Sequence, residues 1–333
     1  MLKLFQSIFG GESQGRYPES LIEMAIERAV DGTDRRLRAL SGYRKSLRAP
    51  VIHAIDHVVA LVDSLPAPLA VGGGDFNSDP RINTLFASPE HVREVFVNDM
   101  LLSEFRQHHP SDEKITVLLL AERVEKRILG MELNGDMLRR EIEQIGVNFR
   151  GQRFVDPDVS EAETRRQLKR RAFDHLLSLA LLRITEVQGE RANLNRQRDL
   201  LKRKLNTLQH SGWNFEETGN DHSEPALLQT ELDDIEGKLD ALGMDDQTLN
   251  AHLDIVVGVL AEAERQFWVE NIELHLDRMN IQRDAQDESA RHFSFQELHN
   301  ARGRSLVMLL IEIDSAKLPK REDMFTAAMR YLG

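Results

Sequence analysis

Two histidines, His53 and His57 in the run His53-Ala-Ile-Asp56-His57, form the densest set of chemistry-bearing side chains in this sequence. On a helix that spacing puts both rings on one face with an acid beside the second, close to the inverted zinc-protease order with Asp in place of Glu. Two ligands do not close a zinc site. The third, usually a carboxylate from a later helix, has no identifiable source, and the shared face is otherwise apolar, so bundle packing competes with metal binding as the role of this pair. Asp75-Phe-Asn77-Ser-Asp79 begins like a calcium loop but places Pro80 where the loop needs glycine and Phe86 where it needs the bidentate glutamate, which reads as a turn held by Asx hydrogen bonds. Gly72-Gly-Gly74 lacks the Gly-Lys-Ser/Thr of a phosphate cradle. His108-His109 stands at a helix end, where histidine commonly caps. Nucleophile-elbow, kinase and dinucleotide fingerprints are missing. The sequence names no catalytic residue and no cofactor, so a binding role is expected over an enzymatic one.

Composition narrows the classes further. The chain has 333 residues, 41% hydrophobic and 29% charged, with few aromatics, which describes a helix-rich globular protein of about two domains. Its net charge of −12 argues against broad attraction to phosphates, although local basic patches escape that argument. Cysteine is absent, which excludes disulfides, thiolate metal sites and a cysteine nucleophile. No apolar stretch approaches the ~20 residues of a membrane-spanning helix. At the start, Leu2, Leu4, Phe5, Ile8 and Phe9 cover one helical face with Lys3, Gln6 and Ser7 opposite. That pattern suits a short foot for a membrane surface or a partner groove, or an arm packed on its own domain. It lacks the basic start and long apolar core of a secretory signal.

The elements that would position these groups follow from period and punctuation. Pro18-Glu19-Ser20 opens an amphipathic helix that closes at Asp31-Gly32; Thr33-Asp34 can cap the next, whose early part carries Arg35, Arg36, Arg38, Arg44, Lys45 and Arg48. Pro50 starts or kinks an apolar piece from Val51 to Leu65, which Pro66-Ala-Pro68 breaks. Ser88-Pro89-Glu90 caps a helix running to about His108. From Lys114 the period becomes two: Ile115, Val117 and Leu119 alternate, Asn134-Gly135-Asp136 signals a hairpin, and Ile142 to Val155 continue the pattern. Alternation returns at Ile272, Leu274 and Leu276 and at Phe293 and Phe295, and Leu306 to Ile313 reads as a buried strand. These strands suggest one antiparallel sheet, or two small ones.

Between the strand regions lie two runs in 4-3 spacing. Phe173, Leu177, Ala180, Ile184, Val187, Leu194, Leu201, Leu205 and Leu208 form the first, with Arg191 and Arg198 in its gaps. Leu228, Leu232, Ile235, Leu239, Leu242, Leu249, Leu253, Val256, Leu260, Ala263 and Phe267 form the second, with Asp246 in its gap. Such a stripe needs a partner helix, and the polar loop from Gln209 to Pro225 allows the chain to turn back, so an antiparallel coiled-coil hairpin is expected. Glu161 to Lys204 carries twelve Lys/Arg against six Asp/Glu, and Glu216 to Asp246 carries eleven acids against Lys238 alone. Placing Leu208 opposite Leu228 sets Arg191 near Asp245 and Asp246, making Arg191 and Asp246 a register pair unless the arginine snorkels out of the seam.

The resulting expectation is an α+β chain, mostly helical, with an N-terminal helical bundle, an antiparallel β platform and a long antiparallel coiled-coil hairpin. Its parts are an arm at 1–16, a helical region at 17–112, a platform at 113–158 plus 271–318, a hairpin insertion at 161–270 and a C-terminal helix at 320–333. The expected role is a non-enzymatic protein–protein interaction or scaffold protein, cytoplasmic or peripheral to a membrane, with a protein partner and self-association. Arg165, Arg166, Lys169, Arg170 and Arg171, beyond the reach of the acidic stretch, are the partner-binding candidates. The alternative is a nucleic-acid-binding accessory protein using the same basic faces, and a third class is a hydrolase with a metal at His53 and His57.

Overall fold

Segments apolar at every position become strands covered on both faces, and segments apolar at every third or fourth position become helices covered on one. The computed structural model describes residues 17–71, 79–86, 88–109, 114–134, 137–210, 223–241 and 248–314, and it sorts them in this way. The helices are Glu19–Gly32 (α1), Tyr43–Asp63 (α2), Pro80–Leu85 (α3), Pro89–Asn98 (α4), Met100–His108 (α5), Glu161–His210 (α6), Ser223–Ala241 (α7), Thr248–Ala261 (α8) and Ala263–Gln266 (α9). The strands are Leu69–Val71 (β1), Lys114–Asn134 (β2), Met137–Asp158 (β3), Phe267–Leu276 (β4), Arg291–Asn300 (β5) and Ser305–Asp314 (β6). The class is α+β. The chain divides into two units, one built from Asp56–Ala172 and the chain from Glu264 onward, the other from the segment ending at Ile55 and Phe173–Ala263; the division falls inside α2 and α6.

The first unit holds a single sheet in the order β3-β2-β6-β5-β4, its neighbours antiparallel. Strands from before and after the long helices therefore share one sheet rather than forming two. β1 pairs in parallel with β6 from Leu69↔Ile311 to Val71↔Ile313, on residues beyond those that pair with β5. This strand sits where the sequence reads as a break and loop, because its pairing depends on an edge supplied more than two hundred residues away. The apolar run of β2 serves two cores. Ile115, Val117, Leu119 and Ala121 join Phe293, Phe295, Ile311 and the inner faces of α3 to α5, while Leu118 and Leu120 join Val62, Leu65, Leu168, Met308 and Leu310. Each fully buried leucine contributes roughly 1.5–3 kcal/mol, and among the described residues Thr116 is the one polar side chain that β2 buries between Lys114 and Ala121.

Three bulges curl the sheet. The β2–β3 register shifts between Thr116 and Leu118, between Leu120 and Glu122, and between Gly130 and Met131. Beside these shifts β3 has positive φ at Asp156 (51°), Gly151 (60°) and Glu141 (59°). An inserted residue bends the strand and increases its twist. The outer edge of β3 thereby reaches the loop after β4: Val147 N donates to Asn280 O and Gln282 N donates to Ile145 O, both at 2.8 Å. Inside the curl, the Phe96 and Phe154 rings meet edge to face at 4.6 Å. The helix expected from Pro89 to about His108 is in fact two. Asp99 takes an extended backbone, ends α4 and caps α5 by accepting from Leu102 N at 2.9 Å, and its other oxygen accepts from Phe154 N at 3.2 Å.

The second unit is helical. α1 buries Leu21, Ile22, Ala25, Ile26, Ala29 and Val30, and the start of α2 buries Leu47, Val51, Ala54 and Ile55. Pro50 lies inside α2 without ending it. Asp34 caps only a 3₁₀ turn, Arg35–Ala39, not the long helix expected after Thr33-Asp34. α6 contributes Phe173, Leu176, Leu177, Ala180 and Ile184, and α8 contributes Leu253, Val256, Val259 and Leu260. At Gly32 a Cβ would lie 3.0 Å from the Leu177 side chain, so a side chain there would press on α6.

Candidate functional site

Beyond Ile184, the less exposed positions of α6 with described burial are Val187, Arg191, Leu194 with its neighbour Asn195, Arg198, Leu201 and Leu205, the rest being exposed. They repeat at three and four residues, the spacing that keeps one stripe of a helix against a partner. α7 answers with Leu228, Leu232, Ile235 and Leu239, all buried, while its other described side chains are exposed or partly so. Lys202 pairs with Glu236 at 2.7 Å, Arg191 Nη1 donates to Thr248 Oγ1 at 2.7 Å, and Gln188 Nε2 lies 3.3 Å from His252 Nε2. Partner numbers rise as α6 numbers fall, so α7 and α8 run opposite to α6. Arg191 is partly buried and meets Thr248, two positions past Asp246, which lies outside the described residues. The outer faces are charged and solvated, and they carry two exposed leucines, Leu200 (67% exposed) and Leu227 (68%).

The basic residues singled out from the sequence are engaged within their own units. Arg165 pairs with Glu161 and donates to the carbonyls of Val62 (2.7 Å), Leu65 (2.9 Å) and Pro66 (3.0 Å), closing the C-terminal end of α2 and the residues after it. Arg166 pairs with Glu163. Lys169 is buried with its Nζ 2.7 Å from Asp63, and Arg171 forms a two-pronged pair with Asp156 at 2.8 and 2.7 Å. Arg170 is partly buried beside them. The N-terminal basic face is likewise paired: Arg35 with Asp31, Arg36 with Asp34, Arg38 with Glu27 and Asp31, Arg44 with Glu27, Arg48 with Glu19. Local acids thus engage most of what composition alone presents as phosphate-binding surface.

His57 Nε2 lies 3.0 Å from Phe267 O and its ring meets Phe267 edge to face, while His53 is exposed. Among the described residues, no three of His, Cys, Asp and Glu are arranged to hold a metal ion. The membrane-foot residues Leu2, Leu4, Phe5, Ile8 and Phe9, the calcium-like loop from Asp75 through Ser78, Gly72-Gly-Gly74 and the C-terminal helix lie outside the described residues. No helix among those described is long and apolar enough to cross a membrane.

Two polar clusters escape sequence reading because their members are far apart in the chain. In the second unit, His252 is fully buried; Gln188 faces its Nε2, and its Nδ1 lies 2.8 Å from Asp34 Oδ2. Hydrogen bonds from the Arg36 side chain, then from His252 and the Arg36 backbone, hold the Asp34 carboxyl well below its ordinary range despite burial. In the sheet unit, buried Glu297 accepts from Arg123 at 3.1 and 2.9 Å and from Ser305 at 3.0 Å, with His299 Nε2 3.5 Å away and stacked on Trp268. Burial pushes the Glu297 carboxyl up, but Arg123 outweighs it and the net shift is downward. The Asp34–His252 cluster binds its own atoms, whereas in the Glu297 cluster His299 Nε2 is buried without a hydrogen-bond partner among the described residues. A shallow cleft of about 450 Å³ opens among His91, Glu94, Val95, Asn98, Asp99, Met100 and Gln152, but Asp99 is occupied as a cap and Gln152 Nε2 donates to Leu85 O and Phe149 O.

Comparison with protein-family models, with curated proteins and with solved structures finds no match.

Proposed function

We propose that this chain is a non-enzymatic protein–protein interaction protein, and that α6 pairs with α7 and α8 as an antiparallel coiled-coil arm whose outer face receives a protein partner. The observation that carries this reading is the coincidence of the 4-3 sequence stripe with the burial stripe on α6 and α7, together with a solvated, charged outer face that bears Leu200 and Leu227. An apolar anchor ringed by charge is the arrangement that protein interfaces use at their centres. The basic faces carry a second reading less well, since most of their charges pair with acids within each unit.

The test places a photo-crosslinking amino acid at Leu200 or at Leu227 in the full-length chain expressed in its native cells. The expected result is one defined adduct from both positions, that from position 200 lost with Leu227→Asp and that from position 227 lost with Leu200→Asp, with the melting temperature nearly unchanged. Adducts that are diffuse, or that survive the substitution at the other leucine, would remove the arm as a docking surface. The proposed peripheral membrane contact has its own test at Phe5.

A further inference from the structure

β2 and β3 are longer than the sheet they belong to. β2 pairs with β6 only as far as Ala121↔Val307, yet it continues with β3 as a two-stranded ribbon to Asn134↔Met137. Among the described residues, no strand pairs with the outer edge of β2 from Glu122 to Asn134. At about 3.4 Å per residue that is some 40 Å of unpaired backbone donors and acceptors, on an element of a kind that is marginal in water by itself. The ribbon also exposes apolar side chains: Leu129 (75% exposed), Ile128 (40%) and Ile145 (37%).

We infer that the edge of β2 pairs with the same edge of a second copy of this chain, antiparallel about a two-fold axis at Ile128. Four observations select this occupant. The unpaired stretch from Glu122 to Asn134 is centred on Ile128, so an axis there pairs the most backbone. An axis that keeps each side chain on its own face must pass through a residue, which then meets itself; Glu125, Lys126 and Arg127 would each oppose a like charge, whereas Ile128 opposes an isoleucine. The same axis lays the aliphatic stem of Arg127 against Leu129 of the second copy and sets Lys126 opposite Gly130, which carries no side chain. Finally, the described ribbon segments 122–130 and 141–150 each mix both signs, and Arg127 pairs with Glu143 at 3.2 Å, a near-neutral surface suited to its own copy more than to a polyanion or an acidic peptide. The edge of β3 is a poorer candidate, because at Ile145 and Val147 it already holds Gln282 and Asn280.

The absence of cysteine makes the register directly testable, since an introduced thiol has no other to react with. In the full-length chain Ile128→Cys should convert almost wholly to a disulfide-linked dimer under mild oxidation, because residues facing themselves across an antiparallel pair lie within disulfide reach. Lys126→Cys should link far less. By light scattering the unmodified chain should be dimeric, and Leu129→Arg should weaken association by at least about tenfold with the fold intact by circular dichroism. A monomeric unmodified chain, or a dimer that Ile128→Cys does not link and Leu129→Arg does not weaken, would overturn the inference. The arm shares no residue with this edge, so Leu129→Arg should leave the arm's photo-adducts unchanged, and failure of one proposal is distinguishable from failure of the other.

Discussion

Single side chains in this protein act mainly as cross-links between distant parts of the chain. Asp34 caps the 3₁₀ turn through Arg36 N and holds His252 through its other oxygen. Its carboxyl titrates below the ordinary 3.8, so the linkage sign is that of a depressed acid: the stabilisation is complete above about pH 4 and is lost as pH falls toward the lowered folded value. Asp34→Asn should therefore flatten the loss of stability as pH falls below about 4 in denaturant titrations, while its amide oxygen can still cap Arg36 N. A steeper acid dependence in the variant would contradict the assignment. Arg165 offers the complementary case, since its guanidinium serves three carbonyls near the end of α2. Arg165→Ala should cost about 1–3 kcal/mol in chemical unfolding, chiefly by leaving Leu65 O unmet, since Val62 O still accepts from Leu65 N and Pro66 is exposed. The same pairing implies weak nucleic-acid binding, no tighter than ~10⁻⁴ to 10⁻⁶ M at physiological salt, and a sub-micromolar constant removed by Arg170→Glu with Arg171→Glu would refute that.

Among elements, the proposed pairing of α6 with α7 makes the sharpest forecast. Ile235 is buried in the α7 stripe, and Ile235→Asp places an unpaired charge there. It should raise hydrogen exchange across α7 and the facing turns of α6 while leaving β2 and β6 protected, because no α7 side chain belongs to either sheet core. Deleting Gln188 to Leu249 and closing the gap with a short turn should leave a folded remainder, judged by a cooperative melt and by the absence of dye binding to exposed apolar surface. The break at Asp99 has a local cause of the same kind: one carboxylate satisfies Leu102 N and Phe154 N together, which a continuous helix would forbid.

On the scale of the whole molecule, the chain is two units that it enters and leaves more than once, and its sheet is assembled from strands at both ends of the sequence. The initial segment belongs to this scale because its proposed partner is a membrane surface. If residues 1–9 contact lipid, Phe5→Asp should abolish flotation with anionic vesicles and leave the melting temperature nearly unchanged. A large fall in melting temperature would make the segment part of the core instead.

Period and punctuation alone determined the strands at Ile115 to Leu119 and Leu306 to Ile313, the cap at Ser88, and the stripe of Leu228, Leu232, Ile235 and Leu239. Each depends on neighbours a few residues away, and a local cause leaves a local pattern. Tertiary structure decided the rest. Which acids pair with Arg171 and Arg48 depends on the fold bringing Asp156 and Glu19 beside them, and whether Leu69-Ala-Val71 is loop or strand depends on an edge that β6 supplies. Arg123 with Glu297, and Asp34 with His252, are 174 and 218 residues apart, separations over which the chain's flexibility erases any periodic signal and only packing in three dimensions selects the partner.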